Sequence, residues 1–416
     1  MSNPHKSVYI SSVFGNMIER YDLRIFDFLS FFIALHFINS DSPESAVSRF
    51  LFLIGFCAIS RPIGSFLFGV IADIIGKKKT MWLSIWMVTL STIGIAVLPF
   101  FDGAIYFLIL FKLIQGLFFG VEYAMSLSYL YEHSDKSNLS GNGIIPAVSA
   151  NLGSALAMIT AAITTTLIDK QGMVEWGWRV PFILAVFGSI LAIYVRKNSP
   201  ETISFMENSL RKRNSLRSIA KNSLSFLKNL RLYAPFLLIS SSSLITSSMV
   251  YSYLPVHTNL YETRGLGGHF FINFLFLILS SLVMVVAGTK SRLKRDNMIL
   301  FGSLVFLVSE PFFFYAIISG CENILFWAIL ALICPLGSLR SFYQIELVNR
   351  IPSTARTTIS GLFFGVLGFF FGSMGPWLSM QADLADKEYG LYFLLIFSSI
   401  IGLIGAIWMR YQNRTI

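Results

Sequence analysis

Residues 61–79 read RPIGSFLFGVIADIIGKKK. No charged residue lies between Arg61 and Asp73, and three consecutive lysines follow the glycine at position 76. Together with the apolar residues before it, this run is long enough for a helix that crosses a bilayer, and lysines are typical of the turn where such a chain returns to water. Because this pattern of a long apolar run followed by a basic turn recurs along the chain, it predicts the fold class.

The chain of 416 residues is too apolar for an ordinary soluble protein. Hydrophobic residues make up 55% of it and charged residues 13%, whereas soluble domains carry roughly 25% charged residues. One globular core cannot enclose so many apolar side chains, which excludes a soluble enzyme, a nucleic-acid-binding domain and a disordered regulator. The net charge of +10 does not indicate a polyanionic partner, because the basic residues lie in short loops between apolar runs.

Twelve segments are apolar enough over about 20 residues to cross a membrane as helices. They are 8–37, 47–73, 80–100, 104–131, 141–168, 178–196, 232–259, 268–289, 297–318, 323–349, 357–381 and 389–410. A basic stretch separates the sixth span from the seventh, which predicts a six-helix bundle at 1–196, a central loop at 197–231 and a second bundle at 232–416. This all-α integral membrane layout resembles the major facilitator fold, in which two bundles rock around a midplane site.

Lysine and arginine are distributed unevenly between the predicted loops. With a cytoplasmic N-terminus, the inner segments carry 22 of the 32 basic residues, Arg196 being counted with the central loop, and the outer loops carry 5. Since cytoplasmic loops of membrane proteins are enriched in these residues, both termini and the central loop are predicted to be cytoplasmic. The location predicted is the cell membrane, inner or plasma, with the lipid bilayer as a partner of the basic loop.

The first span carries five charged residues near its middle, in the sequence GNMIERYDLRIFD at 15–27. Each would cost about 2.5–3.5 kcal/mol if it faced lipid, so these side chains are expected to face protein or water. At about 100° per residue, Glu19 and Asp22 share one face of the helix. Arg24 and Asp27 lie on an adjacent face with Arg20, three residues apart, and can form an ion pair.

Glu19 and Asp22 have no opposite charge on their own face of the helix. A buried carboxylate that lacks a compensating charge can bind a proton near neutral pH, as a proton-coupled carrier requires. The alternative is a structural ion pair with a basic residue of another span. Glu122 in the fourth span is a third candidate acid, with Lys112 as a possible partner.

Three charged residues at the end of the second span and in the turn after it are candidates for a gate. Asp73 lies at the end of the span, and Lys77 and Lys78 follow it. A charged group at a helix end can hold two spans together in one state of a transporter and release them in another.

The second half offers candidate substrate contacts. Ten hydroxyl-bearing residues lie between positions 240 and 253, followed by Pro255. Either they line a cavity, with Tyr251 and Tyr253 as the contacts, or their hydroxyls bond back to the helix backbone. Arg340 in the tenth span could hold a substrate carboxylate, because a guanidinium binds carboxylates through two parallel hydrogen bonds. Glycines at 361, 365, 368, 372 and 375 form a stripe suited to close helix packing.

Several of these stretches together resemble the metabolite:proton symporter family of the major facilitator superfamily, which includes carriers of proline and betaine, citrate, 2-oxoglutarate and shikimate. The match is more specific in the first half than in the second. The matching residues are Gly15-Asn16, Glu19, Tyr21 and Asp22; Arg61-Pro62; Gly69 to Lys79; Gln115-Gly116 to Glu122-Tyr123; Trp176 to Phe182; and Ile351-Pro352 with Arg356. Arg20, Arg24 and Asp27 depart from positions that are neutral in the family.

The resemblance implies proton-coupled symport of a proline- or betaine-like zwitterion or a small carboxylate by alternating access. Glu19, Asp22 and Glu122 would then be linked to proton or substrate, with Gln115 as a further contact. The resemblance also implies that Arg61 belongs to the gate with Asp73 and Lys77. Five basic and six acidic residues within the spans do not distinguish a zwitterion from an anion. The alternatives are an exporter or facilitator of the same fold and a receptor-like relative that transports nothing.

No cofactor is expected besides the proton as coupling ion. The sequence has neither a phosphate-binding Gly-x-x-x-x-Gly-Lys-[Ser/Thr] loop nor histidines and cysteines at metal-ligand spacing,. A small-molecule substrate, no nucleic acid and a functional monomer complete the prediction. Cys57, Cys321 and Cys334 are expected to be free thiols.

Overall fold

The structure is a computed structural model that describes residues 4–133, 143–197, 228–261, 267–290, 295–319, 342–385 and 390–415. It also describes the short stretches 201, 206, 219, 221–223, 226, 327–328 and 331–332. These residues form helices and turns, and none of those described belongs to a strand.

Six spans make up the first half. Their helices are Pro4–Phe28 with Ser30–Phe37, Pro43–Cys57 with Ser60–Ile75, Lys77–Val97, Ala104–Glu132, Ile145–Leu167 and Arg179–Lys197. The helix Lys170–Gly172 and the π-helical turn Met173–Gly177 precede the sixth span. Ser42 begins the second span by accepting a hydrogen bond from the backbone N–H of Ser45 with its side chain, ahead of a proline in the first turn,.

The second half contains the remaining spans. The seventh consists of Leu230–Ser248, the π-helical turn Met249–Tyr253 and Leu254–Tyr261; the eighth is Gly267–Lys290, and the ninth is Arg295–Ser319. The eleventh consists of Arg356–Leu367, the π-helical turn Gly368–Ser373 and Gly375–Ala385, and the twelfth is Gly390–Thr415. Most of the predicted tenth span, 323–349, lies outside the described residues, and 342–349 is helical.

The predicted class, an all-helical membrane protein, is confirmed. Nine helices in the described part of the chain are long and apolar enough to cross a membrane. Their outward surfaces are apolar, with Leu90, Phe187, Val308 and Phe397 more than half exposed. Side chains of this kind suit contact with lipid and would be costly to expose to water in such numbers.

The spans pack mainly within each half of the chain. In the first half, the first span packs on the fifth and sixth, and the fourth packs on the second and third. In the second half, the twelfth span packs on the seventh and ninth. The two halves contact each other where the fifth span meets the eighth and where the second and fourth meet the eleventh.

Glycines permit the close contact between the second and eleventh spans. A Cβ atom at Gly365 would lie 2.6 Å from Ser65 Oγ and 3.0 Å from the Cα of Pro62, and one at Gly69 would lie 2.7 Å from the Cα of Thr358. The predicted use of the glycine stripe for close packing is confirmed here, whereas a Cβ at Gly372 would meet nothing within 4 Å,.

The two ends of the molecule can be named by their residues. The lysine end contains the turn at Lys77, the end of the fourth span at Glu132 and the start of the eleventh at Arg356, which hydrogen bonds join. The far end contains His36, and there Arg179 Nη2 donates to the carbonyl of Leu98 at 2.8 Å. The first span therefore runs from the lysine end towards the far end.

Candidate functional site

A cavity of about 180 Å³ lies between the two halves of the molecule. Its wall carries charged residues at the depth of the membrane, where ionisable side chains are energetically costly and usually mark a substrate or ion pathway. Among the described residues, the charged ones in the wall are Glu19, Arg20, Arg24, Asp27, Arg61 and Lys112. Four cations thus face two carboxylates, an excess of positive charge that the span-by-span count does not reveal.

Four spans are interrupted where they border this cavity. The first and second break between two helices, and the seventh and eleventh each contain a π-helical turn. π-Helical turns inside α-helices are rare and occur frequently at functional sites. The cavity-lining residues at the four interruptions are Ser30, Cys57, Ala58, Tyr251, Ser252, Gly368, Gly372 and Ser373.

Glu19 presents a carboxylate to the cavity. The residue is 6% exposed, and its Oε2 has no hydrogen-bond partner among the described residues. The charges that act on it belong to Arg20, Glu122, Arg196 and Arg61. The structure places Glu19 as predicted, turned away from lipid and facing the internal cavity.

Asp22 lies behind the cavity wall. Its Oδ2 accepts hydrogen bonds from Thr92 Oγ1 at 2.5 Å and from Gln115 Nε2 at 3.0 Å. Lys112 Nζ donates to Gln115 Oε1 at 3.0 Å, so the glutamine connects the acid to a cation. Gln115 and Lys112 line the cavity and Asp22 does not, which makes Gln115 the residue between Asp22 and any bound molecule.

Arg24 and Asp27 form the ion pair that their spacing predicts, at 3.0 Å. Arg24 Nη1 also donates to Ser252 Oγ at 3.1 Å, and that hydroxyl donates to Asp27 Oδ2 at 3.1 Å. The Arg24 guanidinium lies 5.2 Å from the ring centre of Tyr251. The pair therefore joins the first span to the π-helical turn of the seventh, across the two halves.

Two further arginines face the cavity. Arg20 lies 5.0 Å from the ring centre of Tyr123, a cation–π contact,. The Nε atoms of Arg20 and Arg61 are buried and have no hydrogen-bond partner in the described part of the chain. Arg61 was predicted to belong to the gate with Asp73, but the structure places it in the cavity wall, three turns of helix away,.

Glu122 pairs with Arg196 of the sixth span. The sequence had suggested Lys112 as its partner, and that suggestion is wrong. Arg196 is 3% exposed and also donates to the carbonyl of Met81 at 2.8 Å, so it belongs to the first bundle and not to the central loop. Lys112 lies eight residues beyond the fourth span's start at Ala104 and ten before Glu122, which puts the two on different levels of the helix,.

Gly15 provides the space that Arg196 needs. A Cβ atom at this glycine would lie 2.6 Å from Arg196 Nε and closer still to Cζ and Nη2. The glycine of the Gly15-Asn16 motif is thus explained by the guanidinium beside it. Asn16 donates to the carbonyl of Pro146 at 2.5 Å and to Ser149 Oγ at 2.8 Å, which holds the first span on the fifth.

Asp73 connects the second span to the eleventh at the lysine end. Its carboxylate accepts hydrogen bonds from the backbone N–H groups of Thr357 at 3.3 Å and Thr358 at 3.0 Å, and from the Thr358 hydroxyl at 2.8 Å. These N–H groups belong to the first turn of a helix, where an anion is favoured by the helix dipole. Asp73 therefore binds across the two halves, as a gate residue must.

Glu132 is shared by two cations at the same end. It accepts from Lys77 Nζ at 2.7 Å and from Arg356 Nη1 at 3.0 Å, and its side chain is 1% exposed. Lys77 belongs to the first half and Arg356 to the second. Lys78 contributes its backbone N–H, which the carboxylate of Glu201 accepts at 3.2 Å, and no contact of its side chain is seen among the described residues.

The predicted contacts of the second half divide into three groups. Tyr251 lines the cavity, while Tyr253 is buried outside it, because residues two positions apart on a helix point to nearly opposite sides,. Arg340 lies outside the described residues. Four of the ten hydroxyls counted in the seventh span donate to the helix backbone, those of Ser241, Thr246, Ser247 and Ser248. Cavity lining, the other interpretation, holds for Ser243, Tyr251 and Ser252.

Three residues that connect distant parts of the chain around the cavity and the lysine end escaped the sequence analysis. Arg196 looks like a loop cation because it ends an apolar run, and Glu132 looks like the polar end of the fourth span. Ser252 was one hydroxyl among ten. Each is singled out by a partner from a distant part of the chain, and no spacing within one span signals such a partner.

The fold and the cavity define a helical membrane protein of the secondary-transporter class, in which two groups of spans surround a polar site. Residues 14–376 match the family described as Major Facilitator Superfamily. The chain therefore belongs to the major facilitator superfamily, as its motifs predicted, and is a transporter of the metabolite-permease type.

Related proteins agree with this assignment. The chain is 25% identical over 412 residues to the alpha-ketoglutarate permease of Escherichia coli, covering 96% of this chain and 92% of that protein. It is 28% identical to a putative proline/betaine transporter of Staphylococcus haemolyticus, over 61% of this chain and 54% of that one. The solved structure of the xylose transporter XylE from E. coli has a TM-score of 0.75 at 16% identity and covers 97% of both chains, which confirms the major facilitator fold.

Proposed function

We propose that the protein is a proton-coupled symporter of a small anionic metabolite, most simply a carboxylate. The observation that carries this proposal is the charge of the cavity wall, where four cations face two carboxylates. A wall with this excess of positive charge attracts an anion and repels a cation.

Arginine is the residue best suited to a carboxylate, because its planar guanidinium can donate two parallel hydrogen bonds to the two oxygens. Arg20 and Arg61 both line the cavity, and the Nε of each has no hydrogen-bond partner within the described chain. The likeness to an alpha-ketoglutarate permease supports a carboxylate. The likeness to proline/betaine transporters supports a zwitterion, whose carboxylate would use the same arginines.

Glu19 is the proposed proton carrier. It combines burial, contact with the cavity and an oxygen that lacks a hydrogen bond in the described residues. When Glu19 is protonated, the cavity gains positive charge relative to the deprotonated state, so proton binding and anion binding support each other. That mutual dependence is the physical requirement for symport.

Alternating access would use the bonds at the lysine end as the gate. Asp73 and Glu132 join the two halves there through Thr358 and Arg356, and these bonds must break for the cavity to open at that end,. The proposed orientation places the lysine end and both termini in the cytoplasm, which a reporter fused to the C-terminus would test. A monomer would suffice, because the cavity lies within one chain.

The direct test is uptake by proteoliposomes that contain the purified protein and a pH-sensitive dye. We expect addition of the transported anion to remove protons from the outside solution together with the substrate. With Glu19→Gln, accumulation against a gradient should be lost while exchange of labelled for unlabelled substrate continues. The exposed Glu175 provides the matched control, Glu175→Gln, which should behave as wild type.

Proton movement distinguishes the proposal from its alternatives. A facilitator or exporter would move substrate without removing external protons. A receptor-like protein would bind a ligand and not transport it. A thermal-shift screen with carboxylates, amino acids and betaines identifies the ligand class first, and stabilisation by zwitterions alone would contradict the proposed anion.

A further inference from the structure

Asp27 lies among the cations that a substrate anion would need. It pairs with Arg24 at 3.0 Å. Arg61 and Lys112 are close enough for their charges to interact with that of Asp27. All four residues line the same cavity.

The same carboxylate takes part in a contact between the two halves. Ser252 donates to Asp27 and accepts from Arg24, so the three side chains form a closed triangle of hydrogen bonds. The triangle lies beyond Glu19 along the first span, on the side of the far end. We call this set of three residues the Asp27 triangle.

We propose that Asp27 is a resident carboxylate that occupies the cavity's cations in the empty transporter and is displaced from Arg24 by the carboxylate of the substrate. The proposal rests on the anionic substrate proposed above and adds a residue that sets its affinity. It also links binding to movement, because the Asp27–Arg24 pair is one of the three hydrogen bonds in the triangle that joins the first span to Ser252 of the seventh.

The energetic reason is competition between like charges. A second carboxylate cannot share Arg24 with Asp27 at full strength, since the two anions repel each other in a partly desolvated site. Asp27 therefore lowers the affinity for the substrate while it keeps the unloaded cavity from carrying a large uncompensated positive charge. A carrier gains from this, because its site must release the substrate as well as bind it.

The first experiment measures binding of alpha-ketoglutarate to the purified full chain by calorimetry at constant ionic strength. Asp27→Asn keeps the side chain's size and removes its charge, and we expect at least about fivefold tighter binding. Asp27→Glu keeps the charge and should bind as wild type. Asp102→Asn removes an exposed acid that does not line this cavity and controls for net charge. Thermal unfolding checks that each variant is folded, with Asp27→Ser as a second neutral variant.

The outcomes separate this inference from the proposed function. Tighter binding by both neutral variants supports the resident carboxylate. If wild type binds the anion and both folded neutral variants bind it equally or more weakly, Asp27 is not a competitor and the inference is wrong. If neither wild type nor the neutral variants bind any carboxylate, the proposed anionic substrate fails as well.

A second experiment tests the Asp27 triangle without changing any charge. Cys57 is a buried free thiol of the cavity wall, and Cys321→Ser with Cys334→Ser leaves it as the sole cysteine. In that background Ser252→Ala removes one corner of the triangle, and we expect faster reaction of Cys57 with a methanethiosulfonate reagent. Ser241→Ala, which removes a hydroxyl bonded only to its own helix, is the control. An unchanged labelling rate in Ser252→Ala would exclude a role of the triangle in closing the cavity.

Discussion

At the scale of single residues, the sequence predicts which side chains are unusual better than it predicts their partners. The Arg24–Asp27 pair could be predicted because both residues lie three apart on one helix. The partner of Glu122 could not, because Arg196 lies 74 positions away and helix spacing carries no information on contacts between spans. Of the predicted substrate contacts, Tyr251 and Gln115 line the cavity and Tyr253 does not.

The role of Asp22 can be tested by removing its charge. Asp22→Asn keeps the size of the side chain, and its amide oxygen can still accept from Thr92 and Gln115, but the side chain no longer carries a charge or a proton that it can exchange,. We expect accumulation driven by a proton gradient to fall by at least about tenfold. The measurement is uptake of labelled substrate, with circular dichroism as the check on folding, and full accumulation by the variant would contradict a coupling role.

The space at Gly15 leads to a prediction about stability. Gly15→Ala would force the Arg196 guanidinium away from its position beside Glu122, and overpacking of this kind costs about 1–3 kcal/mol,. We expect a lower unfolding temperature in detergent. Gly372→Ala is the matched control, because its Cβ atom would enter open space and should leave the unfolding temperature unchanged.

At the scale of elements, the apolar runs predict the helices closely and the interruptions poorly. Predicted span 104–131 is observed as Ala104–Glu132, and predicted span 178–196 as Arg179–Lys197. The breaks in the first and second spans, and the π-helical turns of the seventh and eleventh, have no such signal. The hydropathy of a segment indicates whether it prefers lipid or water, whereas a local change of helix type depends on the packing and polar contacts of neighbouring spans.

The glycine contact between the second and eleventh spans should control access to the cavity. Gly365→Ala would place a methyl group against Ser65 and Pro62, which separates the two halves near the cavity. We expect faster labelling of Cys57 in the single-cysteine background and slower transport. Leu378→Ala, at an exposed position of the same span outside the cavity wall, serves as the control, and equal labelling of the two variants would count against this contact as a barrier.

At the scale of the whole molecule, twelve spans in two sets of six were predictable because length, hydropathy and the basic loops all follow from the bilayer. The closed state of the lysine end was not predictable. It depends on Glu132 and Asp73, whose carboxylates bind groups of the other half more than 220 positions away. Which of several conformations a transporter adopts is set by small free-energy differences that a sequence pattern does not encode.

Glu132 is expected to stabilise the state that is closed at the lysine end. Glu132→Gln removes the charge that Lys77 and Arg356 share and should shift the equilibrium by about 1–3 kcal/mol towards opening at that end,. Spin labels at Lys79→Cys and Arg414→Cys, both exposed and in opposite halves, would report a longer distance in the variant. Identical distance distributions with and without the substitution would show that other bonds alone keep this end closed.

The four interruptions around the cavity have a mechanical consequence. A continuous helix transmits a push along its whole length, so opening one side of a rigid bundle must disturb the other. Here the first, second, seventh and eleventh spans are each interrupted where they border the cavity, between the bonds of Glu132 and those of the far end. The two parts of each interrupted helix can therefore tilt separately. This would allow the protein to enclose its substrate in an occluded state, closed at both the lysine end and the far end, before either end opens.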